Sequence, residues 1–152
     1  MEGQKILKQP RAVTFTLSDG SIIRGDVFLH LCSFYESTQQ LSELLNDDEV
    51  RFIPVKQAPE NSVILLNLDH VVLVEEERQS GSDRLDALIG KWRAVTVKVP
   101  HRGLVQGEIL IDLPSDHMRA QDFFNRPVRF SELYQQDRIL YVNHDHIVSV
   151  TD

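Results

Sequence analysis

Arg11-Ala12-Val13-Thr14 recurs 82 residues later as Arg93-Ala94-Val95-Thr96. The correspondence then runs without a gap through Gly25/Gly107, Asp26/Glu108, Val27/Ile109, Phe28/Leu110 and Leu29/Ile111. After a three-residue deletion, Leu44-Leu45-Asn46 meets Phe123-Phe124-Asn125, and Val50-Arg51-Phe52 meets Val128-Arg129-Phe130. A last block sets Asn67-Leu68-Asp69-His70-Val71-Val72-Leu73-Val74 against Asn143-His144-Asp145-His146-Ile147-Val148-Ser149-Val150. Four matches in one order point to a duplicated small domain, because the period exceeds the roughly 20–50 residues of solenoid units. The expected organisation is a first repeat over 1–76, a linker with a short helix over 77–92, and a second repeat over 93–152.

Within each copy the apolar period is mostly two, the period of a strand with one buried face. Val13, Phe15 and Leu17 alternate with Thr14, Thr16 and Ser18, and Val95, Val97 and Val99 alternate with Thr96 and Lys98. Asp19-Gly20 between two such runs predicts a tight hairpin, since both residues accept the positive φ such turns need. Gly25 and Gly107 fall inside the next strands, where glycine marks a bend, a bulge or close backbone approach. Ser37 or Thr38 is expected to cap a short helix through Leu41, Leu44 and Leu45. Ser115 or Asp116 is expected to cap another through Phe123 and Phe124. Further strands are expected at 52–55, 63–66, 128–130 and 139–142, with Pro54 favouring a sheet edge. Glu75–Ser82 reads as a linker, followed by a helix carrying Leu85, Leu88, Ile89 and Trp92. The expected fold class is therefore mainly β (α+β): two tandem copies of a small, strongly bent β-barrel-like domain, each with a short inserted helix.

Composition narrows the function classes. The chain has 152 residues, 41% apolar and 26% charged, with a formal net charge of −7. Six basic and twelve acidic residues fall in 1–76, against ten and eleven in 77–152. This balance disfavours a general phosphate-backbone binder. No run approaches the ~18–20 apolar residues of a membrane helix, and Met1–Lys5 has no signal-peptide pattern. Cys32, the single cysteine, excludes intrachain disulfides and cysteine-rich zinc sites. A cytoplasmic location is expected.

Leu17-Ser18-Asp19-Gly20-Ser21-Ile22-Ile23-Arg24-Gly25-Asp26-Val27 resembles the start of the first signature of Sm-like proteins. Leu68-Asp69-His70-Val71-Val72-Leu73-Val74 is similar to the end of their second. The resemblance implies a strongly bent small barrel preceded by a short helix, for which Ile6-Leu7 stands in place. In that family an Asp and an Asn after the second strand, with a later Arg-Gly, bind uridine. The corresponding positions hold Leu31 and Tyr35 in one copy and Leu113 and His117 in the other. Asn67-Leu68 and Asn143-His144 replace Arg-Gly. RNA binding by that route is not expected.

Few residues invite chemistry. His144-Asp145-His146 would place two imidazoles on one face if it were a strand, which makes His144 and His146 the metal candidates. Only the second histidine has a counterpart, and no third ligand follows from spacing. Asn67, Asp69, His70, Asn143, Asp145 and His146 are therefore read as structural turns, with Asp69 and Asp145 expected to cap local backbone donors. Asp47-Asp48-Glu49 and Glu75-Glu76-Glu77 lack a calcium loop's alternation and read as solvated surface. Arg119, Arg126 and Arg129 with Phe123 and Phe124 could form a basic aromatic face, although the aromatics match core leucines. Catalytic residues, cofactor sites and a small-molecule substrate are not expected. The expected function is a non-enzymatic protein-interaction or assembly module acting through a protein partner or self-association. The alternative is an Sm-like nucleic-acid-binding protein.

Overall fold

A computed structural model describes residues 8–32, 37–38, 40–78, 90–114, 116 and 118–152. The chain is mainly β. Its strands are β1 (Lys8–Leu17), β2 (Ile22–Cys32), β3 (Ser37–Thr38), β4 (Phe52–Gln57), β5 (Val63–Asn67), β6 (Val71–Glu77), β7 (Lys91–Val99), β8 (Gly103–Ile111), β9 (Phe130–Tyr134), β10 (Arg138–Asn143) and β11 (Ser149–Thr151). Among the described residues two short helices, α1 (Leu41–Leu45) and α2 (Ala120–Phe124), precede β4 and β9. Single 3₁₀ turns, Leu68–His70 and His144–His146, precede β6 and β11.

All pairings are antiparallel, and the sheet order is β11-β7-β8-β9-β10-β6-β1-β2-β4-β5, with β3 attached to β2. The path stays open and does not close into a barrel. The reason lies in β6, which pairs with β1 on one side and with β10 on the other (Tyr141 opposite Val74, Val142 opposite Leu73). The edge that β5 would need for closure is occupied by a strand from the second half.

The Asp19-Gly20 turn forms as expected: Gly20 takes φ 90°, and Asp19 Oδ1 accepts from the Ser21 amide at 2.9 Å. The second hairpin turns through His101, at φ 66°, and Gly103, at φ 70°. Gly25 and Gly107 sit where two strands cross closely. A Cβ at Gly25 would lie 2.3 Å from the Lys56 carbonyl oxygen, and one at Gly107 would lie 2.6 Å from Leu133 Cγ. Close approach is therefore what these glycines provide. Pro54 is not on the outermost strand, because β4 lies between β2 and β5. It is tolerated because β2 and β4 pair only at Gly25–Gln57 and Asp26–Lys56, so Pro54 has already left the ladder on that side.

The helix starts differ from expectation. Ser37 and Thr38 form β3, and α1 is capped from Gln40, whose amide donates to Glu43 Oε1 at 3.0 Å. Likewise α2 starts from Arg119, whose amide donates to Asp122 Oδ2 at 3.3 Å. In both, the acidic residue at the third helical position accepts from the N-cap amide, the returning half of a capping box, in place of the expected Ser, Thr or Asp caps. Trp92 lies in β7, where Tyr134 packs edge-on against its ring at 5.1 Å. Ile6, Leu7, Tyr35, Ser115, His117 and the expected helix carrying Leu85, Leu88 and Ile89 lie outside the described residues.

Two apolar cores form, and each takes side chains from the other half of the chain. The first gathers Phe15, Val27, Leu29, Leu45, Ile53 and their neighbours around Phe130 and Tyr141. The second gathers Val97, Ile109, Ile111, Phe123 and Leu133 around Val72 and Leu73.

Replacing Gly25 by alanine pushes β4 off β2 and should cost about 1–3 kcal/mol, the range for overpacking a tight site. Nothing lies near an added Cβ at Gly103, so Gly103→Ala should cost only the smaller penalty of its positive φ. Urea unfolding of both variants checks the order, and equal losses would refute the close-approach explanation.

Candidate functional site

The two Asn-x-Asp-His segments were expected to be turns, and each forms one turn of 3₁₀ helix. The capping group, however, is the asparagine. Asn67 Oδ1 accepts from the Asp69 amide at 3.0 Å, and Asn143 Oδ1 accepts from the Asp145 amide at 3.0 Å. An acceptor two residues before the donor closes an Asx turn, a reach that Asp69 and Asp145 do not have towards their own amides. The Asp69 carboxylate instead faces Arg51 at 3.4 Å, where both are exposed and solvent screens the pair.

The two turns differ in surroundings. Asn143 is buried, and its Nδ2 donates to the Leu68 and Val71 carbonyls of the first half at 3.3 and 2.9 Å. His146 Nε2 lies 2.9 Å from the Asp69 carbonyl, which can only accept, so the ring proton is on that nitrogen. His70 meets Ser18 Oγ at 3.1 Å on the exposed side.

The second turn thus belongs to a larger junction in which β9 and β10 lie against α1 and β6. Asn46, which ends α1, holds the start of β9. Its Oδ1 accepts from the Arg129 and Phe130 amides at 3.0 and 2.7 Å, and its Nδ2 donates to the Phe130 carbonyl at 3.1 Å. Arg129 Nη1 returns a bond to the Val50 carbonyl at 2.9 Å. These bonds seat Phe130 in the first core.

Glu75 and Glu76 are not solvated surface. They continue β6 into the segment read as a linker because cations and a phenol meet them there. Arg102 and Arg138 reach Glu75 at 2.7 and 3.0 Å, while Arg11 reaches Glu76 at 2.7 Å. Tyr141, its hydroxyl donating to Glu76, is held far above the usual phenol range by burial and by that carboxylate. Burial opposes the charge of Glu75, but the two arginines win and hold its carboxyl below the usual range.

The metal alternative needed His144 and His146 on one strand face. On a 3₁₀ turn, at about 120° per residue, positions two apart diverge instead. His144 is half-buried beside the Phe124 ring, with its Nε2 2.5 Å from Ser131 Oγ. Ser131 Oγ accepts from Arg126 Nη2 at 2.8 Å, leaving its own proton for the imidazole. Burial first, and Arg126 second, push the His144 pKa down and keep the ring neutral. Among the described residues no cluster of three or more His, Cys, Asp or Glu is assembled.

The basic aromatic face does not form as an open surface. Arg126 stacks on Phe123 with its guanidinium carbon 3.9 Å from the ring centre. Arg119 pairs with Asp122 at 3.0 Å, and Arg129 is turned into the junction. Asn46, Arg129, Glu75 and Glu76 are the junction residues that local patterning missed. Only the aligned pairs Asn46/Asn125 and Arg51/Arg129 marked any of them. No family model, no curated protein and no solved structure matches this chain.

Asn143→Ala removes a cap and the side-chain donor to the Val71 and Leu68 carbonyls, of which Leu68 keeps the Val71 amide. It should cost about 2–4 kcal/mol, against about 0.5–2 kcal/mol for Asn67→Ala, which loses the cap alone. Asp145→Ala should change little. Denaturant titration of the three variants checks this order.

Both depressed pKa values destabilise the fold in acid. A group whose folded-state pKa lies below its unfolded value contributes stability above the unfolded pKa and loses it as the pH falls. The His144 contribution should fade below about pH 6.5, and the Glu75 contribution below about pH 4.3. His144→Leu, which installs the residue found at position 68, should flatten the stability profile between neutrality and about pH 5. An unchanged slope would show that His144 is not held neutral.

Proposed function

We propose that this chain is a non-enzymatic protein-interaction or assembly module, made of two tandem copies of a small, strongly bent β unit. It binds through the open ends of its sheet. The tandem reading is supported by hairpins of one kind at 13–29 and 95–111 and by Asx-capped 3₁₀ turns at 67–70 and 143–146. The observation that carries the function is the outer edge of β5. Among the described residues no strand pairs with it, and it presents Val63 at 61% and Leu65 at 70% exposure. Ser62-Val63-Ile64-Leu65-Leu66-Asn67 contains no charge and no proline, the devices that usually blunt an edge strand. An edge left in this state is a template for strand addition by another polypeptide. Among the described residues no helix is long and apolar enough to cross a membrane.

The tagged full chain should capture protein that survives nuclease treatment and is lost when Leu65→Asp places a charge on the edge. Capture abolished by nuclease, or indifferent to the substitution, would overturn this reading.

A further inference from the structure

Residues that meet across the β6–β10 junction have counterparts at the two ends of the sheet, where among the described residues no strand covers β5 or β11 on its outer side. The aligned partner of Phe130 is Phe52, that of Tyr141 is Leu65, and that of Val72 is Val148. At the junction Phe130, Tyr141 and Val72 are 2%, 4% and 0% exposed; Phe52, Leu65 and Val148 are 54%, 70% and 63% exposed. Val63, the partner of the half-buried Ile139, is exposed as well. The remaining large exposed apolar residues, Ile22 and Leu104, are each other's counterparts and lie away from both ends. Exposure at Phe52, Val63 and Leu65 at one end, and at Val148 at the other, thus matches the two sides of the same junction.

The polar contacts repeat in the same way. Asn46, which clamps the Arg129 and Phe130 amides, corresponds to Asn125 at the end of α2. Arg129 corresponds to the exposed Arg51, and the carbonyl it reaches, Val50, to Val128. Asn143 and His146, which donate to first-half carbonyls, correspond to Asn67 and His70. Even Arg11–Glu76 has a counterpart in Arg93–Asp152, at 3.1 Å.

Deepening the proposed function, on which it rests, we infer that the occupant of the open edge is a second copy of this chain, whose β11 pairs with β5 as β6 pairs with β10 inside one chain. The register follows from the internal one: Ile64 opposite Thr151, Leu65 opposite Val150 and Leu66 opposite Ser149 of the second copy. Phe52 and Leu65 enter the second core of that copy, Val148 of that copy enters the first core here, and Asn125 of that copy clamps the Arg51 and Phe52 amides. The junction is head-to-tail, so each copy carries both of its halves and assembly continues until it closes into a ring or runs on as a filament. Two features do not repeat. Arg102 and Arg138, which hold Glu75, correspond to Gly20 and Ser62, and Glu75 itself to Thr151; Tyr141, whose hydroxyl donates to Glu76, corresponds to Leu65, which has no donor. Contact between copies is therefore apolar and hydrogen-bonded, without that ion pair, and should resist salt.

The test is sedimentation of the purified full chain, with Leu65→Asp to block the β5 end and Val148→Asp to block the β11 end. Both positions are exposed in the single chain, so each variant should stay folded, with the far-UV circular dichroism of the wild type, and lose only the thermal stability that assembly adds. The wild type should sediment as an oligomer in low and high salt, and each variant as a monomer. An equimolar mixture of the two variants should form a dimer that grows no further, because one intact β5 end and one intact β11 end remain. A monomeric wild type at high micromolar concentration, a variant that assembles like the wild type, or a mixture that stays monomeric would each overturn the inference. If the monomeric wild type nevertheless captures a different protein through Leu65, the second-copy occupant fails while the interaction-module reading stands.

Discussion

The pairing of β6 with β10 is the constraint on which the rest of the structure depends. A half of this chain has too little interior to bury its own apolar faces, the general difficulty of units near 70 residues. Sharing a strand resolves it: β6 completes the first half on one edge and receives the second half on the other. Phe130 and Tyr141 fill one core while Val72 and Leu73 fill the other. The carboxylates at the end of β6 are held in the same place by three arginines and a tyrosine. A buried or half-buried carboxylate is tolerated only when such partners are in place, so the ion pairs fix the junction's register more than they add to its strength.

Legibility in the sequence followed distance along the chain. Alternation at Val13-Phe15-Leu17 and Val95-Val97-Val99, the Asp19-Gly20 turn, the crossing glycines and the Asn-x-Asp-His turns are set by neighbours within a few residues, and all were visible. Glu75 and Glu76 looked like a linker because nothing nearby explains a strand there; Tyr141 and Arg138 lie more than sixty positions away. Asn46 looked like a helix stop for the same reason, since the amides it holds belong to β9. An open, continuous sheet in place of closed barrels is also a long-range outcome, because periodicity shows which face of a strand is buried but not which strand lies beside it. At the candidate site the turns were legible, but the groups that cap them were not. Asn and Asp are both good Asx formers, and only backbone geometry separates them.

The interlocked cores have a consequence for how the protein is made. A ribosome releases chain in order, at about 5–20 residues per second. The first half leaves it lacking Phe130 and Tyr141, and β6 emerges with one edge bare. Several seconds of synthesis, at that rate, separate β6 from the strand that covers it. Throughout that interval the nascent chain carries an apolar strand and two carboxylates whose full set of partners does not yet exist. Vectorial synthesis thus leaves the outer edge of β6 open to mispairing until translation has passed Val142.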